Sequence, residues 1–92
     1  MVEGTDMIEG TDMVRPEDVK HYIEQGLACD RVEVAGDGHH FEAVIVSPAF
    51  RGKSRVQQHQ LVYRALGERM REEIHALSMQ TFTPEDWAAA GR

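Results

Sequence analysis

The central segment of the chain, from Phe50 to Met70, has the sequence FRGKSRVQQHQLVYRALGERM and organises the predicted domain. Ser54 and Gln57 match a capping box, in which each side chain bonds the backbone amide of the other residue, so a helix is predicted to begin here. Beyond them one set of residues recurs every three or four positions, which is typical of the buried face of a helix. This predicted stripe consists of Val56, His59, Tyr63, Leu66 and Met70, with Val62 beside it. The other elements are short enough to need this helix as a packing partner.

The length and the cysteine content set the broad class of protein. Ninety-two residues suffice for one domain, near the lower size at which a single core is stable without cross-links. The single cysteine, Cys29, cannot form an intramolecular disulfide, and the sequence has neither a charged-then-apolar leader nor an apolar run of ~20 residues. We therefore expect a cytoplasmic protein of a reducing compartment, with no membrane contact.

Charge is unevenly distributed along the chain. The net charge of -6 at pH 7 argues at first against a nucleic-acid partner. Yet six acidic residues lie in the first eighteen positions, whereas the region from Arg51 to Arg71 is basic and contains a single acid, Glu68. Its cations are Arg51, Lys53, Arg55 and Arg64, followed by Arg69 and Arg71. The first four are candidates for contacts with DNA phosphates or with an acidic partner, and a solvated basic helix face is the alternative.

The first thirteen residues contain a short direct repeat, Glu-Gly-Thr-Asp-Met, at Glu3–Met7 and again at Glu9–Met13. Their apolar content is too low to bury a face, so residues 1–13 are predicted to be disordered or non-native. The folded domain is expected to span residues 14–92.

A first helix is predicted to begin at Pro16, because proline needs no amide partner in the first turn and the following Glu17 and Asp18 complement the helix dipole. Gly26 can end this helix. His21 falls on its outer side as a surface imidazole. Its buried face should contain Val19, Tyr22, Ile23 and Leu27.

Two strands joined by a tight turn are predicted next. Residues 31–35 alternate polar and apolar side chains, and the Gly-Asp-Gly sequence at 36–38 suits a tight connection. The return strand should run from His40 to Val46, antiparallel to the first. Phe41, Ala43 and Ile45 share one face of it, and His40, Glu42, Val44 and Val46 share the other.

The last part of the chain is predicted to form a strand and a short helix. The strand covers Ile74–Phe82, where apolar and polar side chains alternate. The helix follows with Thr83 as its cap and Pro84 in its first position. Trp87 is expected to pack it down, because so short a helix is not stable alone.

The predicted order of elements, α-β-β-α-β-α, indicates a single small α+β domain with a three-stranded mixed sheet and helices on one face. The helical crossover makes the second and third strands parallel. His40 begins the second strand and His75 lies at the start of the third, so both imidazoles are expected at one end of the sheet, on backbones about 4.8 Å apart if the strands are neighbours. Two such histidines could hold one metal centre.

The sequence resembles the BolA proteins, and within them the IbaG-like (YrbA-like) branch, from about Val14 to Trp87. The resemblance rests on many short landmarks that occur in order. They are VEV at 32–34, GDGHHF at 36–41, VIVS at 44–47, FRGKSRV at 50–56, HQLVY at 59–63, IHALS at 74–78 and TPEDW at 83–87. The resemblance implies a fold similar to that of class II KH domains.

The resemblance also implies a non-enzymatic role in iron-sulfur cluster assembly, trafficking or iron sensing. BolA-like proteins pair with monothiol glutaredoxins, and the heterodimer shares a [2Fe-2S] cluster to which the glutaredoxin brings a cysteine and glutathione. Carried onto this sequence, the ligands are His75 and His40, with His39 as the alternative to His40. No cofactor is then expected in the isolated protein, which should be a monomer or a weak homodimer.

A second function is implied by the same resemblance. Some members of the family are described as transcriptional regulators, which makes DNA the alternative partner, bound by the central helix and its basic residues.

The assignment of histidines as cluster ligands agrees with the chemistry of the chain, because one cysteine cannot supply four thiolates and a cluster here must be shared or bound through histidine.

Plainer interpretations compete with some of these assignments. From the residues alone, His75 fits a strand-end histidine bonded to a carbonyl, and His59 fits a core or boundary histidine with one hydrogen bond. Cys29 is expected to be a partly buried thiol without a redox role, since the adjacent Asp30 disfavours its thiolate. The sequence GKSR at 52–55 lacks the glycines of a Walker motif and of a KH-type Gly-x-x-Gly loop. No catalytic arrangement of side chains is evident, and no enzyme is predicted.

Overall fold

The computed structural model describes residues 14–72, 74 and 76–91. The predicted elements are all present in the predicted order, with one additional short helix. They are α1 (Pro16–Gly26), β1 (Arg31–Gly36), β2 (His40–Val46), a 3-10 helix (Pro48–Phe50), α2 (Arg55–Leu66), α3 (Arg69–Glu72), β3 (Ala76–Phe82) and α4 (Pro84–Ala89). The segment 1–13, predicted to be disordered, and His75, predicted to bind metal, lie outside the described residues. None of the described helices has the length and apolar character needed to cross a membrane.

The three strands form one mixed sheet in the order β1-β2-β3. β1 runs antiparallel to β2, with Arg31 opposite Val46, and β2 runs parallel to β3, with His40 opposite Ala76. The strand directions predicted from the tight turn and from the helical crossover are therefore confirmed. As a consequence, the first residues of β2 and β3 lie side by side at one end of the sheet.

The hydrophobic core lies between one face of the sheet and the helices α1 and α2. Because side chains alternate along a strand, every second residue of β2 points to these helices, as predicted. A Val, Leu, Ile or Phe side chain in this core is worth about 1.5–3 kcal/mol when it is fully buried. The innermost residues, all at most 2% exposed, are Phe41, Ala43 and Ile45 from β2, Val19 and Ile23 from α1, Val62 and Leu66 from α2, and Phe50.

The predicted buried stripe of α2 is wrong in part. Val62 and Leu66 are buried, but Val56 is 66% exposed and Tyr63 is 41% exposed. Gln58 is buried instead, because the line of residues that faces the core has a spacing of four and passes through Gln58, Val62 and Leu66. A hydrophobic pattern cannot detect a buried glutamine. The sequence therefore predicts that a neighbouring side of α2 faces the core, and the side that does so contains Gln58.

Gln58 is accommodated in the core by hydrogen bonds to three residues outside the body of its helix. Its Nε2 donates to the backbone carbonyls of Phe50 at 3.3 Å and Lys53 at 3.0 Å, and its Oε1 accepts from Thr81 Oγ1 at 2.6 Å. The amide thereby joins the beginning of α2 to the preceding turn and to β3. A buried polar group with its partners in place costs little, whereas one without them is expensive.

The beginning of α2 is as predicted, but its end is earlier. The Ser54 amide donates to Gln57 Oε1 at 2.9 Å and the Gln57 amide donates to Ser54 Oγ at 3.2 Å, which confirms the capping box. The predicted single helix to Met70 is interrupted at Gly67, whose φ of 60° is in the left-handed region that favours glycine. The short α3 then leads to β3, which begins at Ala76 and not at Ile74 as predicted.

The terminal helix α4 is held by its cap and by one aromatic side chain. The Asp86 amide donates to Thr83 Oγ1 at 3.0 Å, as predicted for the cap. The ring of Trp87 lies 5.3 Å from that of Phe82, and the guanidinium of Arg31 lies 5.4 Å from the Trp87 ring. Arg31 and Phe82 occupy positions on the sheet face opposite Phe41, so Trp87 covers one end of that outer face.

Candidate functional site

The turn between β1 and β2 is organised by the carboxylate of Asp37. Its Oδ1 accepts hydrogen bonds from the amides of His39 and His40, both at 2.9 Å, and the Asp37 amide donates to the His40 carbonyl at 3.2 Å. The bonds from the amides of His40 and His39 hold the pKa of the Asp37 carboxyl below its usual range. Asp37 is therefore ionised at neutral pH and fixes the backbone that carries both histidines.

Both turn histidines are accessible to a partner. The side chains of His39 and His40 are exposed, and His40 begins β2 on the face opposite the buried Phe41, as predicted from the alternation of the strand. An exposed imidazole on a fixed backbone is a suitable ligand for a metal centre that a second protein helps to bind.

The first residue of β3 is hydrogen-bonded to this turn. The Ala76 amide donates to the His39 carbonyl at 3.1 Å, and Ala76 lies opposite His40 in the parallel register. We call the end of the sheet formed by His39, His40 and Ala76 the rim. His75 precedes Ala76 in the sequence and lies outside the described residues, so its approach to His40 stays a prediction. The structure does show that Ala76, the residue after His75, is hydrogen-bonded to the turn that carries His39 and His40.

The rim opens onto the outer face of the sheet. A shallow depression of about 420 Å³ on this face is lined by residues of all three strands, among them Glu33, Glu42 and Ser78. Glu42 follows His40 by two residues and shares its face. Among residues 14–72, 74 and 76–91, no three His, Cys, Asp or Glu side chains are grouped so that they could hold a metal ion.

The predicted basic residues differ in how they are engaged. Arg51 forms a two-pronged ion pair with Glu85 of α4, with Nε 3.0 Å from Oε1 and Nη2 2.7 Å from Oε2. This pairing raises the pKa of Arg51 and lowers the pKa of Glu85. The other three, Lys53, Arg55 and Arg64, are exposed and form no ion pair with a described residue. They remain available to a partner, and Arg51 is occupied within the chain.

The remaining titratable candidates belong to the packing of the fold. Cys29 is partly buried, as predicted, and its thiol donates to the Leu27 carbonyl at 3.3 Å. Burial, together with the nearby charges of Glu24 and Asp30, raises the pKa of Cys29 to about 11. His59 lies at the edge of the core, as predicted, but its Nε2 is buried and has no hydrogen-bond partner among the residues that the structure describes.

Two residues of the site were missed by sequence reasoning. The Gly-Asp-Gly sequence predicts only a tight connection at Asp37, although an aspartate side chain can accept from the amides of residues that follow it closely in a turn. The alternation of side chains predicts Ala76 only as an interior residue of a strand that begins at Ile74. Its pairing with His40 depends on the register of parallel strands, for which the sequence contains no local signal.

The fold is that of a small α+β domain, in which a three-stranded mixed sheet packs against helices. Residues 16–86 match the family model described as BolA-like protein, and the chain belongs to that family. Within the family it is IbaG-like. Over 72 residues it is 38% identical to the Escherichia coli strain K12 protein named acid stress protein IbaG, with 77% of this chain and 86% of the relative covered.

Two further comparisons support the family assignment. The chain is 46% identical over 54 residues to the Haemophilus influenzae protein named DNA-binding transcriptional regulator BolA, and the match covers 59% of this chain and 52% of the relative, so it spans about half of that relative. Its structure is similar to that of a BolA homologue from Coxiella burnetii, with a TM-score of 0.78, 49% identity, and coverage of 83% of this chain and 99% of the other.

Proposed function

We propose that this protein is a non-enzymatic adaptor in iron-sulfur cluster assembly, trafficking or iron sensing. It binds a monothiol glutaredoxin and shares a [2Fe-2S] cluster with it through His75 and His40, with His39 as the alternative to His40. The glutaredoxin supplies a cysteine and glutathione. The proposed place of action is the cytoplasm.

The observation that supports this proposal most is the geometry of the rim. His40 is exposed, and its strand neighbour Ala76 is the residue that follows His75 in the sequence. Neighbouring strands lie about 4.8 Å apart, which is a separation that ligands of one small metal centre can bridge. The bond from the Ala76 amide to the His39 carbonyl joins the two segments at this point.

The donor set also fits a shared cluster. The chain has one cysteine, and burial with a raised pKa of about 11 makes the Cys29 thiol a poor metal ligand. Exposed imidazoles are therefore the donors that this chain offers at the rim, and imidazole replaces thiolate on one iron in Rieske-type centres. The cluster would supply the chemistry of iron storage or transfer, while Asp37 and β3 would hold the backbone of the ligands.

Anaerobic co-purification with a monothiol glutaredoxin tests partner, cofactor and ligands together. We expect a coloured heterodimer from the unchanged chain and the loss or strong weakening of its visible circular dichroism with His75→Ala. The matched control is His21→Ala, which removes an exposed imidazole of α1 and should leave the spectrum unchanged. His40→Ala and His39→Ala compared side by side identify the turn ligand. Unchanged cluster spectra with His75→Ala would remove His75 from the ligand set.

A DNA-binding transcriptional regulator is the second candidate function. It is favoured by the exposed cations Arg55 and Arg64 of α2 and Lys53 just before it, which form no ion pair with a described residue, and by the name of the Haemophilus influenzae relative. Binding to a DNA duplex should weaken steeply with salt and on replacing Lys53 and Arg55 by alanine. Lys20→Ala is the matched control, because this cation of α1 is paired with Glu24 at 2.9 Å. Binding with no preference for any sequence would reject this candidate.

A further inference from the structure

The side of α2 that is turned away from the core is both apolar and positively charged. Val56, Gln60 and Tyr63 follow one another at spacings of four and three, so their side chains lie on one side of the helix. Val56 is 66% exposed and Tyr63 is 41% exposed, and they are the large hydrophobic side chains that the described part of the chain exposes. The exposed face of α2, as we call this surface, consists of Val56, Gln60 and Tyr63 together with the exposed cations Lys53, Arg55 and Arg64.

The positive charge of this face is not compensated by the described part of the chain. Its three cations form no ion pair with a described residue, and α2 has no acidic residue in its first turn to complement the positive end of the helix dipole. The other cations whose side chains the structure describes are engaged elsewhere. They are Arg15, Lys20, Arg31 and Arg51, each paired with an acid, and Arg69, which lies over the ring of Tyr22.

The segment that precedes the described residues has the complementary composition. Residues 1–13 contain four acids at a regular spacing of three and neither lysine nor arginine. Apolar side chains lie between these acids, among them Met7 and Ile8. The segment therefore combines negative charge with apolar side chains, as the exposed face of α2 combines positive charge with apolar side chains. The four acids are Glu3, Asp6, Glu9 and Asp12.

The segment is long enough to reach this face. Gly26 of α1 lies against Ala65 of α2, whereas Tyr22, one turn earlier in α1, contacts Arg69, which comes after the end of α2, so the two helices run antiparallel. The beginning of α1 is therefore about 30 Å from the beginning of α2 along the helix axes, at 1.5 Å per residue. Thirteen extended residues span up to about 45 Å, which covers the whole of α2.

We propose that residues 1–13 of this chain dock along the exposed face of α2. The segment reaches α2 from the end of that helix, so its last acids lie near Arg64 and its first acids lie near Lys53 and the positive end of the helix dipole. The apolar side chains between the acids then cover Val56 and Tyr63. The contact is made within one chain and does not depend on the function proposed above.

Attachment to the same chain favours this segment over a separate partner. A tethered segment is present at an effective concentration in the millimolar range, so contacts that are individually weak are populated without a second molecule. Exposed ion pairs are weak, and salt screens them over about 8 Å at physiological ionic strength. We therefore expect the docked fraction to fall as salt is added. Any anionic partner of this face, a DNA duplex included, would have to displace the segment.

Zero-length cross-linking tests the contact within the full chain. A water-soluble carbodiimide joins a carboxylate to a lysine amine only where the two groups touch, and the chain has two lysines, Lys20 and Lys53. The variant Glu24→Gln is the background, because Glu24 otherwise pairs with Lys20 at 2.9 Å and occupies it. In monomeric protein at low salt, links from Glu3 or Asp6 to Lys53 should exceed those to Lys20 several-fold. Salt at about 1 M, where the screening length is about 3 Å, should remove this excess.

The second lysine is the internal control for this experiment. Lys20 is nearer than Lys53 to the segment along the chain, so a segment without a docking place would meet it at least as often. Equal linking of the two lysines at low salt, or a preference for Lys20, would overturn the proposal.

A spin label tests the contact without any lysine chemistry. In a Cys29→Ser background, a nitroxide attached to Thr5→Cys should broaden the amide signals of Val56 and Gln60, and reduction of the nitroxide should restore them. The same label in a chain whose four acids are replaced by their amides should leave these signals sharp, because the charge is lost while the size is kept. Broadening that is absent from α2 in the first chain, or equal in both, would overturn the proposal. The replacements are Glu3→Gln, Asp6→Asn, Glu9→Gln and Asp12→Asn.

Discussion

At the scale of single residues, Asp37 controls the turn that carries two candidate ligands. Its pKa is lowered by the amides of His40 and His39, so its ionised form stabilises the folded state above its unfolded pKa of about 3.9. That stabilisation is lost as the pH falls through the lower, folded pKa. We expect Asp37→Ala to remove this contribution, so that the free energy of unfolding decreases less on acidification from pH 7 to pH 2 than in the unchanged chain. Urea denaturation at both pH values measures the difference.

The control for this prediction is Asp37→Asn. Its side-chain oxygen can still accept from the amides of His39 and His40, so slow hydrogen exchange of these amides should be kept while the dependence on pH is reduced. Identical pH profiles of Asp37→Ala and the unchanged chain would contradict the role of the carboxylate.

A second prediction at this scale concerns Gln58, the buried glutamine of α2. Gln58→Leu removes its bonds to the Phe50 and Lys53 carbonyls and to the Thr81 hydroxyl. Groups left buried without partners cost about 1–3 kcal/mol, so we expect a destabilisation of that size in urea denaturation. Gln60→Leu, at an exposed position of the same helix, should change the stability by less than about 0.5 kcal/mol. Equal effects of the two variants would contradict this account.

At the scale of elements, the approach of α1 to α2 depends on Gly26. A Cβ atom at this position would lie 2.8 Å from both Cα and Cβ of Ala65 and 2.9 Å from its carbonyl oxygen. Gly26→Ala should therefore destabilise the fold by about 1–3 kcal/mol through overpacking, although alanine favours helix formation more than glycine. Thermal and urea denaturation check this expectation.

Two further variants separate packing from helix propensity. Gln25→Ala, at the exposed neighbouring position, should change stability little. Ala65→Gly combined with Gly26→Ala should recover part of the loss, because it removes the side chain that the new methyl group meets. A stabilising Gly26→Ala would show that the two helices separate at low cost.

The elements themselves were largely predictable from the sequence, for local reasons. The capping box at Ser54, the proline at the start of α1 and the alternation in β2 each act within a few residues, and the structure confirms all three. The buried face of α2 was not predictable in full, because Gln58 replaces an apolar residue and Val56 remains exposed. Gln58 is buried because its partners Phe50, Lys53 and Thr81 come from other segments of the chain.

At the scale of the whole molecule, the single hydrophobic core predicts one cooperative transition. Trp87 lies on the outer face of the sheet, so fluorescence follows that side, whereas far-ultraviolet circular dichroism is dominated by the longer helices α1 and α2 on the core face. We expect their urea transitions to coincide, as for most single domains of this size. An earlier change in fluorescence would show that α4 opens by itself. Phe82→Leu removes the aromatic partner of Trp87. The fluorescence transition of this variant shows how a loosely packed α4 behaves in the same experiment.

The candidate site was predictable only in part, because it is a property of the whole sheet. The alternation of β2 was sufficient to place His40 on the outer face, and the crossover rule was sufficient to bring the beginnings of β2 and β3 to the same end. The role of Asp37 and the bond between Ala76 and the His39 carbonyl depend on the register between segments that are far apart in sequence. Sequence periodicity contains no information about that register.

The environment of Cys29 has a consequence for oxidative stress. With a pKa of about 11, roughly one Cys29 in ten thousand is a thiolate at pH 7, and the thiolate is the form that peroxides and disulfides attack. Sulfenylation or glutathionylation of this chain should therefore be slow. In a complex with a thiol-bearing protein, oxidants would act first on the sulfur of the other protein, and sensitivity to the redox state of the cell would be a property brought by that protein.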